Sequence, residues 1–247
     1  LNPGHVPAKS NWFLHIDFDG LRQTETGKDL FSQLEEIHGR PFRAIKRMFS
    51  LNPLTDLAAI TLMGPGGENQ AVALIDGRFD RAHIEDIIGA AEDYDTHQHG
   101  DFTVHEWTDD KKGKDQFGAF VSDSLIAFSE KKGLLHDALD VLGGKADSLE
   151  PDSYFKKNGN FVAAWARLAD IEMDEEESQL LRKAEELRLA AGENNGKIAA
   201  SMAIDAKDRD TAQLIQRVLV GTIDLDITTP EASLVQPKSC RQGELRE

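Results

Sequence analysis

The chain has 247 residues, 40% of them hydrophobic, and a formal net charge of −16. That length buries one large core or two smaller ones, while so acidic a surface repels phosphate backbones and sets nucleic-acid partners aside. Cys240 is the only cysteine, which excludes an intrachain disulfide and a thiolate zinc site, and no apolar run reaches the roughly 18 residues of a membrane span.

The chain opens without Met, in a loose polar lead, LNPGHVPAKSN, ahead of an abrupt apolar stretch. A mature exported protein reads this way once its signal peptide is gone. Trp12 to Phe18 alternates as a strand, with Trp12, Leu14, Ile16 and Phe18 on one face and His15, Asp17 and Asp19 on the other. A helix follows with Leu30, Phe31, Leu34 and Ile37 as its buried stripe. Gly39-Arg40-Pro41 is expected to break it, because Pro41 lacks the amide of an interior turn. Phe42, Ile45, Met48 and Phe49 make a second helical piece, in which Arg40, Arg43, Lys46 and Arg47 form a wet face.

Leu57 to Met63 and Ala71 to Ile75 are strands, and Gly64-Pro65-Gly66-Gly67 turns one into the other as a hairpin. Asp80 is placed to cap a helix whose inward face is Ile84, Ile87, Ile88 and Ala91. Tyr94 to His99 and Phe102 to Thr108 pair around Gly100-Asp101, and Asp109 to Asp115 is a solvated loop. Phe117 to Val121 and Leu125 to Phe128 make another hairpin. A helix with Leu134, Leu135, Ala138, Leu139 and Leu142 then ends at Gly143-Gly144.

The polar stretch Ala146 to Asn160, with Pro151, is the expected boundary. Residues 1–150 form a first α+β half, 151–228 a shorter second half, and 229–247 a loose polar tail holding Cys240. The second half begins with a strand, Phe161 to Leu168. A helix from about Asp174 to Ala191 is expected next, burying Leu180, Leu181, Ala184, Leu187 and Ala191, with Asp174 to Glu177 in its first turn. Lys197 to Thr222 repeats the pattern of Gln70 to Glu92: apolar run, Ile-Asp, a small residue, then a helix with Leu214, Ile215, Val218 and Leu219 inward. Ile223, Leu225 and Ile227 suit one edge strand. The order strand, helix, strand, strand, helix, strand predicts an α+β fold of tandem ferredoxin-like, split βαβ halves, with mostly antiparallel sheets and helices packed on one face. This layout resembles exported bacterial proteins built of repeated α+β modules, a resemblance that carries no assigned chemistry.

Three constellations carry candidate chemistry. His15 to Leu21, HIDFDGL, is similar to the opening motif of haloacid-dehalogenase-type phosphohydrolases. The resemblance implies Asp17 as nucleophile, Asp19 as acid/base and a magnesium ion. Leu21 stands where that motif has Thr, and no later acidic pair completes the magnesium site. Read without the resemblance, His15 and Asp17 line the wet face of a strand and Asp19-Gly20 opens a helix. The second constellation is His97, His99 and His105. A two-residue turn sets His99 opposite Phe102, His97 opposite Val104 and Asp95 opposite Glu106, so a metal would use His97, His99 and Glu106 while His105 faces the other way. The plainer reading is exposed strand histidines. The third, the Gly64–Gly67 loop, leads into a strand and lacks the Lys and Ser or Thr of a phosphate loop.

The expected function is that of an exported, non-enzymatic binding or structural module of the bacterial envelope. It sits in the periplasm or outside the cell, with a protein partner there, no cofactor and no membrane insertion. The alternatives are a magnesium-dependent phosphohydrolase using Asp17 and Asp19, and a metal-binding protein using His97 and His99.

Overall fold

The computed structural model describes residues 2–109, 113–150, 155, 160–171, 184–194 and 196–213. Its centre is a ten-stranded sheet built from β1 (Trp12–Asp17), β2 (Leu57–Gly64), β3 (Val72–Gly77), β4 (Asp95–His99), β5 (Phe102–Asp109), β6 (Lys114–Ser122), β7 (Leu125–Ser129), β8 (Asn160–Arg167), β9 (Ala184–Asn194) and β10 (Lys197–Ala206). The strand order is β10-β9-β8-β1-β2-β3-β7-β6-β5-β4. Every strand pairing among the described residues is antiparallel. The mixed α+β class stands, but a split βαβ unit sets its two helix-linked strands parallel with a third strand between them, whereas β1 and β2 are direct antiparallel neighbours. The sheet also runs through the expected division at residue 150, because β8 pairs with β1.

Among the described residues the sheet is accompanied by the helices α1 (Phe18–Gln23), α2 (Glu25–Phe49), α3 (Pro53–Asp56), α4 (Arg81–Gly89) and α5 (Lys132–Leu142). Contrary to the expected single layer, they lie on both faces. One face runs through Phe13, Met63, Val72, Ser129 and Phe117 in register, and α5 buries Leu135, Ala138 and Leu139 in the same core. The opposite face carries Phe120 and His105; here Arg81 of α4 lies over the Phe120 ring at 5.0 Å, and Glu85 approaches His105.

This two-sided cover reverses the expected faces of β1. Phe13 and His15 are buried, and Trp12, Leu14 and Ile16 are half-buried. Alternation predicts two faces but not which one a helix covers. The N-terminal lead is not loose: Val6 is fully buried, and its carbonyl accepts from Leu149 N at 2.8 Å.

Two helix expectations also change. α2 runs unbroken through Pro41. The proline lies on an exposed side, so the carbonyl of Ile37, which its missing N–H frees, faces water instead of going unsatisfied. Only Gly27 and Gly39 of α2 are buried, and the expected inward Leu30 and Ile37 are exposed. At Gly27 a Cβ would fall 1.8 Å from the Leu21 carbonyl oxygen; only glycine lets α2 start this close to α1. The expected helix from Asp174 to Ala191 is β9 over Ala184–Asn194, the partner of β10 in a hairpin. Gly196, just before β10, takes φ +74°. Residues 174–183, the inward residues 214–219, the strand at 223–227 and the tail at 229–247 lie outside the described residues.

Candidate functional site

β4 is the terminal strand of the sheet, and its pairing with β5 sets His99 opposite Phe102, His97 opposite Val104 and Asp95 opposite Glu106. The hairpin arithmetic therefore places His97, His99 and Glu106 on one face, the face that α5 covers. The helix contributes what the hairpin alone does not show. Lys132, His136 and Asp140 are spaced by four residues and form one stripe of α5, beside the buried Leu135, Ala138 and Leu139.

The two elements meet through side chains. His97 and His136 share a hydrogen bond between their Nε2 atoms at 3.0 Å. His99 Nε2 donates to Asp140 Oδ1 at 2.8 Å. The His99 and His136 rings stack with centroids 4.0 Å apart and planes at 14°. Lys132 Nζ donates to Glu106 Oε2 at 2.9 Å, and the same oxygen lies 3.9 Å from His97 Nδ1. Because the His97–His136 contact joins two ring nitrogens, one carries the proton and the other the lone pair. Burial, then the neighbouring His99, His97 and Lys132, lower the pKa of His136, against the pull of Asp140.

This arrangement separates the groups that the metal alternative needs. His99 turns to Asp140, His97 turns its Nε2 to His136, and Glu106 lies on the Nδ1 side of His97. No group of three or more His, Cys, Asp or Glu among the described residues has the geometry to hold a metal ion. His105 faces the other way, as its register requires. Its Nδ1 meets the Tyr94 hydroxyl at 2.8 Å, and its Nε2 is buried without a hydrogen bond, 3.7 Å from Glu85 Oε1. Burial lowers its pKa while Glu85 opposes.

The other candidate carboxylates bind locally. Asp17 caps α1, its Oδ1 accepting from Gly20 N at 2.7 Å. Asp19 pairs with Arg22, and Arg22 also donates to the Leu54 and Leu57 carbonyls at 3.0 and 2.6 Å. The fold that carries the motif HIDFDGL resembles has a parallel sheet, whereas the pairings of β1 with β2 and β8 are antiparallel. Gly64–Gly67 joins β2 to β3 as a turn, with Asn11 Nδ2 donating to the Pro65 carbonyl at 2.9 Å.

Sequence reasoning missed two participants. His136 and Asp140 belong to a helix far along the chain from β4, and only their four-residue spacing signals a shared stripe. His15, expected on a wet face, is buried and shares a hydrogen bond with Thr61 Oγ1 at 2.8 Å. Burial pushes its pKa down to about 4, with Asp17 pulling the other way.

No protein-family model matches the chain, and no curated protein matches it. Among solved structures it is similar to crystal form III of TP0453, with a TM-score of 0.52 and 13% identity over 88% of this chain and 86% of that one. Crystal form IV of TP0453 gives 0.51 and 12% over 81% and 78%. At such identity the likeness concerns the fold alone. No helix among the described residues is long and apolar enough to cross a membrane.

Proposed function

We propose that this chain is a non-enzymatic module of the bacterial envelope, exported to the periplasm or beyond, which acts by binding a protein partner or as a structural part. One observation supports it: the side chains with candidate chemistry tie one element to the next. Asp17 caps α1, Asp19 holds Arg22, and His97 and His99 join β4 to α5. The reading requires no cofactor.

In the same reading the chain is two units set back to back at the β1/β8 pair. The strands β1-β2-β3 and β8-β9-β10 run outward from that pair in the same order. Each hairpin then leads to an Asp-capped turn, Asp80 to His83 N at 3.1 Å and Asp208 to Thr211 N at 2.7 Å.

Two measurements test the proposal. Cell fractionation of the full-length gene product should recover the protein outside the cytoplasm; recovery in the cytoplasm alone removes the envelope assignment. The purified protein should not hydrolyse generic phosphate esters with magnesium. Reproducible turnover that disappears in Asp17→Asn would install the phosphohydrolase instead.

A further inference from the structure

We propose that α2 is a self-association surface, through which two copies of this chain pair antiparallel. The proposal goes beyond the envelope reading and does not rest on it. α2 spans 25 residues, about 37 Å at ~1.5 Å per residue. Phe31, Leu34, Phe42, Ile45 and Phe49 are half-buried. Beside them runs a second apolar stripe that nothing among the described residues covers: Leu30 is 41% exposed, Ile37 70% and Met48 58%. Their spacings of seven and eleven residues are close to whole turns, so all three fall within about 20° of one line along the helix. Pro41 continues the line.

The charges that flank this stripe identify the occupant. Asp29 and Glu36 lie along its outer side in the first half of α2, and Arg40, Arg43 and Arg47 in the second. All five are exposed, and none forms an ion pair with a described residue. A second copy reversed about Gly39 sets Leu30 against Met48 and brings the two Ile37 side chains to the centre. It also places Asp29 and Glu36 of each copy beside Arg47 and Arg43 of the other. The surface is complementary to itself under a twofold axis, as an isologous dimer requires. A parallel pair would set this charged flank against the partner's opposite, half-buried apolar side and leave the charges without partners. An anionic lipid surface would attract the basic half of this flank and repel the acidic half, whereas a reversed copy satisfies both.

Sedimentation velocity over a wide range of protein concentration tests this, with circular dichroism confirming that each variant folds. The parent chain should show a monomer–dimer equilibrium. Ile37→Asp should weaken it at least ~10-fold, since a charge at the centre of the stripe is left desolvated. Two charge-reversed chains, Asp29→Lys/Glu36→Lys and Arg43→Glu/Arg47→Glu, should each lose self-association, and their mixture should recover a heterodimer. A parent chain that stays monomeric throughout overturns the proposal, as does a dimer unaffected by Ile37→Asp. So does flotation of a monomeric chain with phosphatidylglycerol vesicles that Ile37→Asp abolishes, which would assign the stripe to a membrane surface.

Discussion

His97 and His136 face each other Nε2 to Nε2 at 3.0 Å, joining the terminal strand of the sheet to α5. Among the described residues β4 has one strand partner, β5, so the contacts from its face to α5 tie it to the body beyond that pairing. His136→Ala should cost about 1 kcal/mol, the usual net contribution of one hydrogen bond. Native-state hydrogen exchange should speed up selectively at residues 95–106, where local opening is least opposed. Uniform acceleration across the sheet would refute the tie.

The same cluster makes a prediction about metal. With His99 committed to Asp140 and His97 to His136, a zinc titration should show no tight one-to-one uptake, and zinc should not raise the unfolding temperature. A ligand bound only by the native state stabilises it. One-to-one binding that is lost in His97→Ala would restore the metal alternative.

Acid should destabilise the fold through His15. Its folded pKa, about 4, lies below the unfolded value of 6.5, so the unfolded chain binds the extra proton. The sign is therefore fixed: stability is complete above pH 6.5, falls as pH drops toward 4, and levels off below. The slope approaches 1.4 kcal/mol per pH unit for one such group, an order-of-magnitude figure. Burial lowers the pKa values of His5, His105 and His136 as well, and all act in the same direction. Urea unfolding from pH 7 to 4 measures the fall, and His15→Gln should flatten it.

Asp17 distinguishes a cap from a nucleophile by stability alone. Asn accepts the Gly20 amide as well as Asp does, so Asp17→Asn should change stability by less than about 0.5 kcal/mol, while Asp17→Ala should cost about 1 kcal/mol. Equal effects would show that the Asp17–Gly20 bond at 2.7 Å does not hold α1 in solution.

Gly27→Ala should be the most damaging of these small changes. The added methyl meets the Leu21 carbonyl at 1.8 Å, and backbone cannot move aside as a side chain can. A loss of about 2 kcal/mol or more by chemical denaturation is expected.

Local chemistry was legible wherever near neighbours decide the outcome. Gly100-Asp101 determined the register of β4 with β5 to the residue, and Asp80 capped α4 as expected, because a turn or cap involves only a few adjacent positions. Residues 184–191 were instead read as helix because Ala184, Leu187 and Ala191 also fit a helical period, and short apolar runs fit both periods. Tertiary structure alone decided which face of each element was covered. Alternation made His15 and Leu14 face opposite ways, but α5 and the N-terminal segment chose to bury the side of His15. It also decided that Leu30 and Ile37 stay exposed and that His136 reaches His97. Burial belongs to pairs of surfaces distant in the chain, and a sequence pattern describes only one surface of each pair.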